Sequence, residues 1–86
     1  MFSQRFNRPI ILTHHARRRM AEPDMGETLL LELIENGVTR YKDEHRLWIA
    51  HWFPDRADNL LCVAAVVEES LIVKTVMHHF EWERSS

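Results

Sequence analysis

The arrangement of apolar and polar positions changes character near Gly37. Between residues 25 and 34, apolar side chains recur every three or four positions, which is typical of a helix with one buried face. After Gly37 the apolar residues alternate with polar ones, which indicates extended strands. The pattern therefore predicts a helical region followed by a β-rich region.

Breakers and caps place individual elements within this pattern. Thr13 is a good N-cap, Pro23 ends the helix that Thr13 begins, and Gly37 stops the next helix. The predicted elements, in order, are a strand over 8–12, helices over 13–22 and 24–36, and strands over 38–42, 45–53, 60–67 and 71–77. A polar, Pro-containing loop is expected over 54–59.

The order of elements predicts an α+β fold. Short connections between the last four strands favour a four-strand antiparallel meander, and the short N-terminal strand stands apart from it. We expect both helices to pack on one face of that sheet. At 86 residues the chain is long enough for one domain over 1–86, with its core over about 9–77 and a tail over 81–86.

Composition narrows the class of protein. The single Cys62 excludes an internal disulfide and a cysteine-based zinc site, and its apolar neighbours favour a buried thiol. No signal pattern opens the sequence, and no apolar run is long enough to span a bilayer. We expect a cytoplasmic protein without a membrane partner.

Positive charge is local in a chain whose formal net charge is -2. One group of cations lies at residues 17–19, and Arg40, Lys42 and Arg46 form a second. Whole-molecule charge therefore gives no attraction to nucleic acid, whereas these two groups are candidate phosphate-binding regions.

The first predicted helix has the highest density of side chains that could move a proton or bind a phosphate. His15 and Arg19 are four residues apart and share a helix face, and His14 and Arg18 form a second such pair. An imidazole can move a proton near neutral pH, and a guanidinium can hold a phosphate. The structural alternative is that His15 packs between helix and sheet while Arg19 extends to solvent.

Two tryptophans share one face of the strand over 45–53. Trp48 and Trp52, beside Arg46, are a candidate platform for stacked bases. Such a pair is more often part of a core or a subunit interface. Because this strand has little polar surface, it favours a homo-oligomer or a complex with another protein.

Six histidines raise the question of a bound metal. The sequence lacks the helical spacings that bring two ligands together, and adjacent histidines on a strand point to opposite faces. We therefore predict no metal ion and no cofactor, and keep a histidine-bound metal protein as a weaker alternative.

The segment His15-Ala16-Arg17-Arg18-Arg19-Met20 lies between a strand and a β-meander whose last strand reads Val73-Lys74-Thr75-Val76. In these features the chain resembles the RelE/ParE-like toxin superfamily of bacteria, and more closely a small branch of unknown function within it. The resemblance covers about residues 9–77. It implies a compact α+β fold that is often paired with an antitoxin.

The resemblance also implies a chemistry. Relatives that cleave RNA do so without metal: a base takes the proton of the ribose 2′-hydroxyl, cations hold the phosphate, and an acid protonates the leaving oxygen. At the matching positions His15 is the candidate base or acid and Arg19 the phosphate clamp. Lys74 and Thr75 would be supporting donors, although in a regular strand they lie on opposite faces.

These arguments define one leading hypothesis, a toxin-like, metal-independent ribonuclease or its degenerate descendant. The candidate catalytic residues are His15, Arg19 and Thr75, and the candidate phosphate-binding residues are Arg18, Lys42, Arg46 and Lys74. RNA and an antitoxin or other protein are the expected partners. The alternative is a non-catalytic module that uses the same fold to bind or regulate a protein.

Overall fold

The structure is a computed structural model that describes residues 1–21, 25–53 and 60–78. Its elements, in order, are β1 (Phe2–Ser3), β2 (Arg8–Leu12), α1 (His14–Ala21), α2 (Glu27–Asn36), β3 (Val38–Tyr41), β4 (Arg46–Trp52), β5 (Leu60–Val67) and β6 (Leu71–His78). The predicted loop over 54–59 and tail over 81–86 lie outside the described residues.

The strands form one six-stranded mixed sheet in the order β1-β2-β6-β5-β4-β3. The predicted four-strand antiparallel sheet is therefore wrong: β3 to β6 pair antiparallel in sequence order, but β1 and β2 belong to the same sheet and make it mixed. Strand β2 is not separate from the sheet: it pairs in parallel with β6, with Ile10 opposite Leu71. About sixty residues separate these partners, so the local pattern of neither strand reveals the pairing. The two-residue β1, antiparallel to β2, is too short to show a periodicity.

Both helices bury their apolar residues against one side of the sheet, which we call the inner face. Helix α1 contributes Ala16 and Met20, and α2 contributes Leu30, Leu33 and Ile34. The sheet meets them with side chains that are all buried, namely Ile10, Leu47, Ile49, Leu61, Val63, Ala65, Leu71, Val73 and Val76. Removing this apolar surface from water is the main stabilising contribution to the fold.

No described helix covers the opposite side of the sheet, which we call the outer face. The strand register places Arg40, Trp48, Ala64 and Thr75 in one row across it. A neighbouring row contains Arg46, Val66, Ile72 and Ile11. Large apolar side chains of this face remain 40% to 64% exposed, namely Phe2, Ile11, Val38, Trp48 and Trp52. An exposed apolar surface of this kind is typical of a binding face.

Helix α2 is held at its C-terminus by the turn between β1 and β2. The Glu35 carboxylate accepts hydrogen bonds from the backbone N–H groups of Gln4 and Arg5, both at 2.8 Å. In return, Arg5 Nη1 donates to the carbonyls of Ile34 at 3.0 Å and Gly37 at 2.7 Å. The final carbonyls of a helix lack partners within it, so Arg5 supplies what α2 itself cannot.

The C-terminal end of α2, at Asn36 before Gly37, is confirmed, whereas its N-terminal end differs from the prediction. The helix begins at Glu27 rather than at residue 24, and its N-cap Gly26 has no side chain to cap it. At the other end the backbone φ of Gly37 is −72°, so this glycine does not adopt the left-handed conformation. It is needed instead because backbone atoms approach it closely: an added Cβ would lie 2.5 Å from Leu33 O and 2.8 Å from Ala50 O.

Candidate functional site

The N-terminus of α1 is fixed beside β6. Pairing between β2 and β6 ends at Leu12 and Val73, and Thr13 continues the contact. Its N–H donates to Val73 O at 3.2 Å, and its hydroxyl donates to Lys74 O at 3.0 Å. The same hydroxyl oxygen accepts the N–H of Ala16 at 3.1 Å, which makes Thr13 the N-cap of α1. One side chain thus caps the helix and anchors it to the sheet.

Arg19 makes a second contact between α1 and β6, on the part of β6 that lies beyond the end of its pairing with β2. Its Nε donates to Val76 O at 3.3 Å, and the side chain is half-buried. An open strand edge invites pairing with other chains, and this contact covers part of it. His15, by contrast, is exposed. The structural alternative, with His15 packed against the sheet and Arg19 in solvent, is therefore wrong.

The first turn of α1 presents two imidazoles to solvent, His14 and His15, and the exposed Arg17 and Arg18 follow them. The free N–H groups and the dipole of a helix favour negative charge at its N-terminus. Through Thr13, this terminus lies next to the backbone of Lys74. The exposed histidines thus lie on a helix that begins beside the backbone of Lys74, while Lys74 itself lines the depression on the outer face.

Lys74 occupies a β-bulge. Thr75 pairs with Ala64 and Val73 pairs with Ala65, so Lys74 has no partner in the register. The bulge breaks the alternation of β6, and Val73 and Val76 are both buried while Lys74 is exposed. The expectation that Lys74 and Thr75 lie on opposite faces is wrong for this reason: the outer face carries both.

A depression of about 180 Å³ lies on the outer face next to the bulge. Lys42, Arg46 and Lys74 bring three cations to it, Trp48 lines one side, and Ala64 lies opposite Trp48 in the register. The other lining residues are Leu47, Ala65 and Val66. Three of the four predicted phosphate-binding residues thus converge, while Arg18 lies on α1 and does not line the depression.

Asp43 orients one of these cations. Its carboxylate accepts the N–H groups of His45 at 2.9 Å and Arg46 at 2.8 Å, and Arg46 Nε at 2.6 Å. These bonds, that from the Arg46 backbone above all, lower the pKa of Asp43 to about 2. The carboxylate is therefore ionised at neutral pH and holds the Arg46 guanidinium beside the depression. The depression itself is lined by three cations, while Asp43, Glu44 and Glu68 line the adjoining depression on the other side of Arg46.

The strands and the turns differ in the sign of their charges. None of the six described strands contains Asp or Glu, and they carry Arg8, Arg40, Arg46 and Lys74. The acidic side chains of the described residues are on α2 and in the turns after β3 and β5. In a chain with a net charge of -2, the charged side chains of the described strands are therefore basic only, and the acidic ones flank them in the turns.

The remaining predicted features have simpler outcomes. Trp48 and Trp52 do not join the core, because both are at least 40% exposed. Cys62 is fully buried, and its burial raises the pKa of the thiol to about 12. Within residues 1–21, 25–53 and 60–78, no three His, Cys, Asp or Glu side chains come close enough to hold a metal ion. None of the helices described is long and apolar enough to cross a bilayer.

Sequence reasoning missed two contributors to this region. Thr13 was expected to cap α1, but its anchoring bond to Lys74 O depends on a strand some sixty residues away. Ala64 gave no functional signal, because an alanine within an apolar strand is ordinary; its importance comes from its place opposite Trp48.

With this geometry in hand, comparison with known proteins gives a family. Residues 12–78 match the model of DUF4258, a domain of unknown function, and the chain belongs to that family. No curated protein and no solved structure gives a significant match. The family match assigns no activity, and the resemblance to the RelE/ParE-like superfamily stays a prediction.

Proposed function

We propose that this protein is a small, toxin-like ribonuclease that binds single-stranded RNA and cleaves it beside the first turn of α1. The observation that carries the proposal is the exposed His15 on a helix whose N-terminus Thr13 fixes next to Lys74. A titratable group beside a helix N-terminus suits a reaction at a phosphate, and the exposed Lys74 is assigned as the nearby cation. The sheet without carboxylates suits a polyanion.

In the proposed reaction, neutral His15 takes the proton of a ribose 2′-hydroxyl. The 2′-oxygen forms a bond to phosphorus, and the bond from phosphorus to the 5′-oxygen breaks. The leaving 5′-oxygen takes a proton from water, and the imidazolium then neutralises the hydroxide that remains. The products are a 2′,3′-cyclic phosphate and a 5′-hydroxyl. Lys74 and the helix dipole stabilise the negative charge that builds up on the phosphate.

Arg19 takes a different part from the one the resemblance implies. Its Nε is engaged with Val76 O, so we assign it to positioning α1 on β6, and through α1 the imidazole of His15. Thr75, half-buried on the outer face next to Lys74, is assigned to contacts with bound RNA. RNA as substrate also fits the expected cytoplasmic location.

The test is cleavage of a fluorogenic single-stranded RNA by purified wild-type protein, with His15→Ala and His14→Ala prepared in the same way. Losing a general base typically lowers a rate by about 10²- to 10⁴-fold, so His15→Ala should fall by that much. His14→Ala removes a neighbouring imidazole from the same turn and should change the rate by no more than a few-fold. Mass spectrometry should find the cyclic phosphate. Equal rates for wild type and His15→Ala would reject the proposal.

A second candidate function is a non-catalytic module that binds another protein, such as an antitoxin, or a further copy of the chain. The observation that favours it is the exposed Phe2 and Ile11, which extend the outer face beyond its cations. Induced expression separates the two functions. Growth arrest by wild type but not by His15→Ala supports the ribonuclease, and normal growth with both supports the binding module.

A further inference from the structure

The junction between α2 and β3 contains the only Asn–Gly pair in the sequence, formed by Asn36 and Gly37. We propose that Asn36 is a deamidation site that the folded chain keeps unreactive, and that local opening of the C-terminal end of α2 allows the modification. The modification changes the protein's own chain and is independent of the proposed cleavage of RNA. It also assigns a role to Arg5 and Glu35, which that cleavage does not use.

The reaction needs only the chain and water. The backbone nitrogen of Gly37 loses its proton and attacks Cγ of Asn36, so that a C–N bond forms. The bond from Cγ to Nδ2 breaks, and ammonia leaves with the proton that Gly37 lost. Water then opens the resulting five-membered imide at either carbonyl, which gives aspartate or isoaspartate at position 36. Glycine favours the attack because it has no side chain to obstruct it and leaves the backbone free to turn.

Both reacting groups are already hydrogen-bonded in the folded chain. Gly37 N donates to Leu33 O at 2.8 Å, so the proton that must be lost is held in a bond. Asn36 Nδ2 donates to Glu32 O at 3.1 Å, which directs the side-chain amide back along the helix and away from the next residue. Since Asn36 is the last residue of α2, the attack requires both bonds to break and the end of the helix to unwind.

Packing holds Gly37 in place, whereas Asn36 is open to water. The Asn36 side chain is exposed and Gly37 is buried. A Cβ on Gly37 would lie 2.5 Å from Leu33 O and 2.8 Å from Ala50 O, so the backbone at Gly37 has little room to approach Asn36 Cγ. The site is therefore kept unreactive by the packing of α2 and β4 around Gly37, and not by shielding of the amide from water.

Arg5 and Glu35 resist the opening of this end of α2. Arg5 Nη1 donates to Ile34 O at 3.0 Å and to Gly37 O at 2.7 Å. The Glu35 carboxylate accepts two backbone N–H groups of the turn between β1 and β2, both at 2.8 Å. Opening the end of α2 must break these bonds, so removing the Arg5 side chain should raise the fraction of open molecules.

Deamidation would make the opening permanent. Isoaspartate carries the main chain through the former side chain and lengthens it by one carbon, at a junction where Gly37 has no spare room. Aspartate places a carboxylate at the C-terminus of α2, where the helix dipole disfavours negative charge and where Glu32 and Glu35 already lie. Either product should hinder α2 and β3 from returning to their packed positions.

The experiment compares the rate of deamidation at Asn36 in the native full chain with the rate in the same chain unfolded in urea. Mass spectrometry of proteolytic fragments measures aspartate and isoaspartate at this position at neutral pH. We expect the native chain to react about 100-fold more slowly or less, because only the open fraction can react. Asn36→Gln, whose longer side chain closes a ring much more slowly, is the control that assigns the product to this residue.

Arg5→Ala tests what opens the junction, and Arg8→Ala is its matched control. Arg8 follows the same turn, but its side chain donates to Glu68 O and Phe6 O instead of to α2. Arg5→Ala should deamidate about tenfold faster than wild type, since bonds from a charged donor are lost, and Arg8→Ala should stay within about twofold. If Arg5→Ala fails to fold, Glu35→Gln loosens the same contact with less disruption and should give a smaller increase.

Each result supports or overturns the inference without any RNA, so it stands or falls separately from the ribonuclease. Deamidation of the native chain as fast as in urea would overturn the protection, and so would an unfolded chain that keeps Asn36 intact. Equal rates in Arg5→Ala and Arg8→Ala would overturn the role of Arg5. Purified deamidated protein should unfold at a lower urea concentration than the unmodified protein, and equal midpoints would show that the modification leaves the junction able to close.

Discussion

Gly37→Ala tests the junction between α2 and β3 with the smallest possible change. The added Cβ would lie 2.5 Å from Leu33 O, 2.8 Å from Ala50 O and 2.8 Å from Ile49 Cγ2. Two of these three atoms belong to the backbone, so no side-chain rotation can remove the overlap. The perturbation is therefore steric, because the φ of −72° suits alanine as well as glycine.

The structure allows the destabilisation to be estimated. Restoring ordinary contact at 3.4 Å requires shifts of about 0.9 Å from Leu33 O and 0.6 Å from Ala50 O. Overpacking of this kind costs about 1–3 kcal/mol, and weakening the bond from Gly37 N to Leu33 O adds roughly 1 kcal/mol. The lower entropy of the unfolded alanine chain offsets about 0.4–1 kcal/mol. We expect the free energy of unfolding to fall by about 2–3 kcal/mol.

The assay is urea unfolding followed by circular dichroism, with thermal unfolding as a second measure. For a domain of this size each kcal/mol corresponds to about 4–8 °C in Tm, so a loss of roughly 10–20 °C is expected. The other glycine of the chain provides the matched control, since nothing lies within 4 Å of a Cβ added at Gly26. Gly26→Ala should change the free energy by no more than about 0.5 kcal/mol. Equal midpoints for the two variants would refute the close approach at Gly37.

Three further predictions concern the caps and the titrating groups. Thr13→Val removes both hydroxyl bonds at the start of α1 and should lower the free energy of unfolding by about 1–2 kcal/mol in urea, whereas Thr13→Ser should keep most of it. The fully buried Cys62, with its pKa raised to about 12, should react with a thiol reagent at pH 8 only as the protein unfolds; rapid labelling of the native protein would contradict its burial. Asp43 has its pKa lowered from 3.8 to about 2, so it stabilises the folded state above pH 4, and that contribution should disappear as the pH falls through 2. Asp43→Asn should flatten the change in Tm between pH 4 and 2, and an unchanged profile would show that the turn does not depend on this carboxylate.

The local pattern of apolar residues was sufficient to predict individual strands and helices. Strand β6 shows that it was not sufficient to predict how the strands pair. The apolar run over 71–77 correctly predicted a strand, because a strand's alternation is a property of neighbouring residues. Its parallel partner β2 and its bulge at Lys74 are properties of distant pairings, and nothing in either segment encodes them alone. The predicted four-strand antiparallel sheet was wrong for this reason, and so was the expected separation of Lys74 from Thr75.

The candidate site shows the same division between what the sequence predicts and what the structure adds. The residue types were visible in the sequence: imidazoles and cations around residues 14–19, a tryptophan pair on one strand face, and scattered lysines and arginines. Their grouping was not, because Lys42, Arg46 and Lys74 meet only where the β3–β4 turn and the bulge of β6 approach the same outer face. Arg19, the predicted phosphate clamp, donates its Nε hydrogen to Val76 O, a contact that the sequence could not reveal because it depends on where β2 ends. The sequence by itself determined which groups are present and which elements carry them. The tertiary structure decided which of them share a site, since strand pairing brings together side chains that the chain keeps far apart.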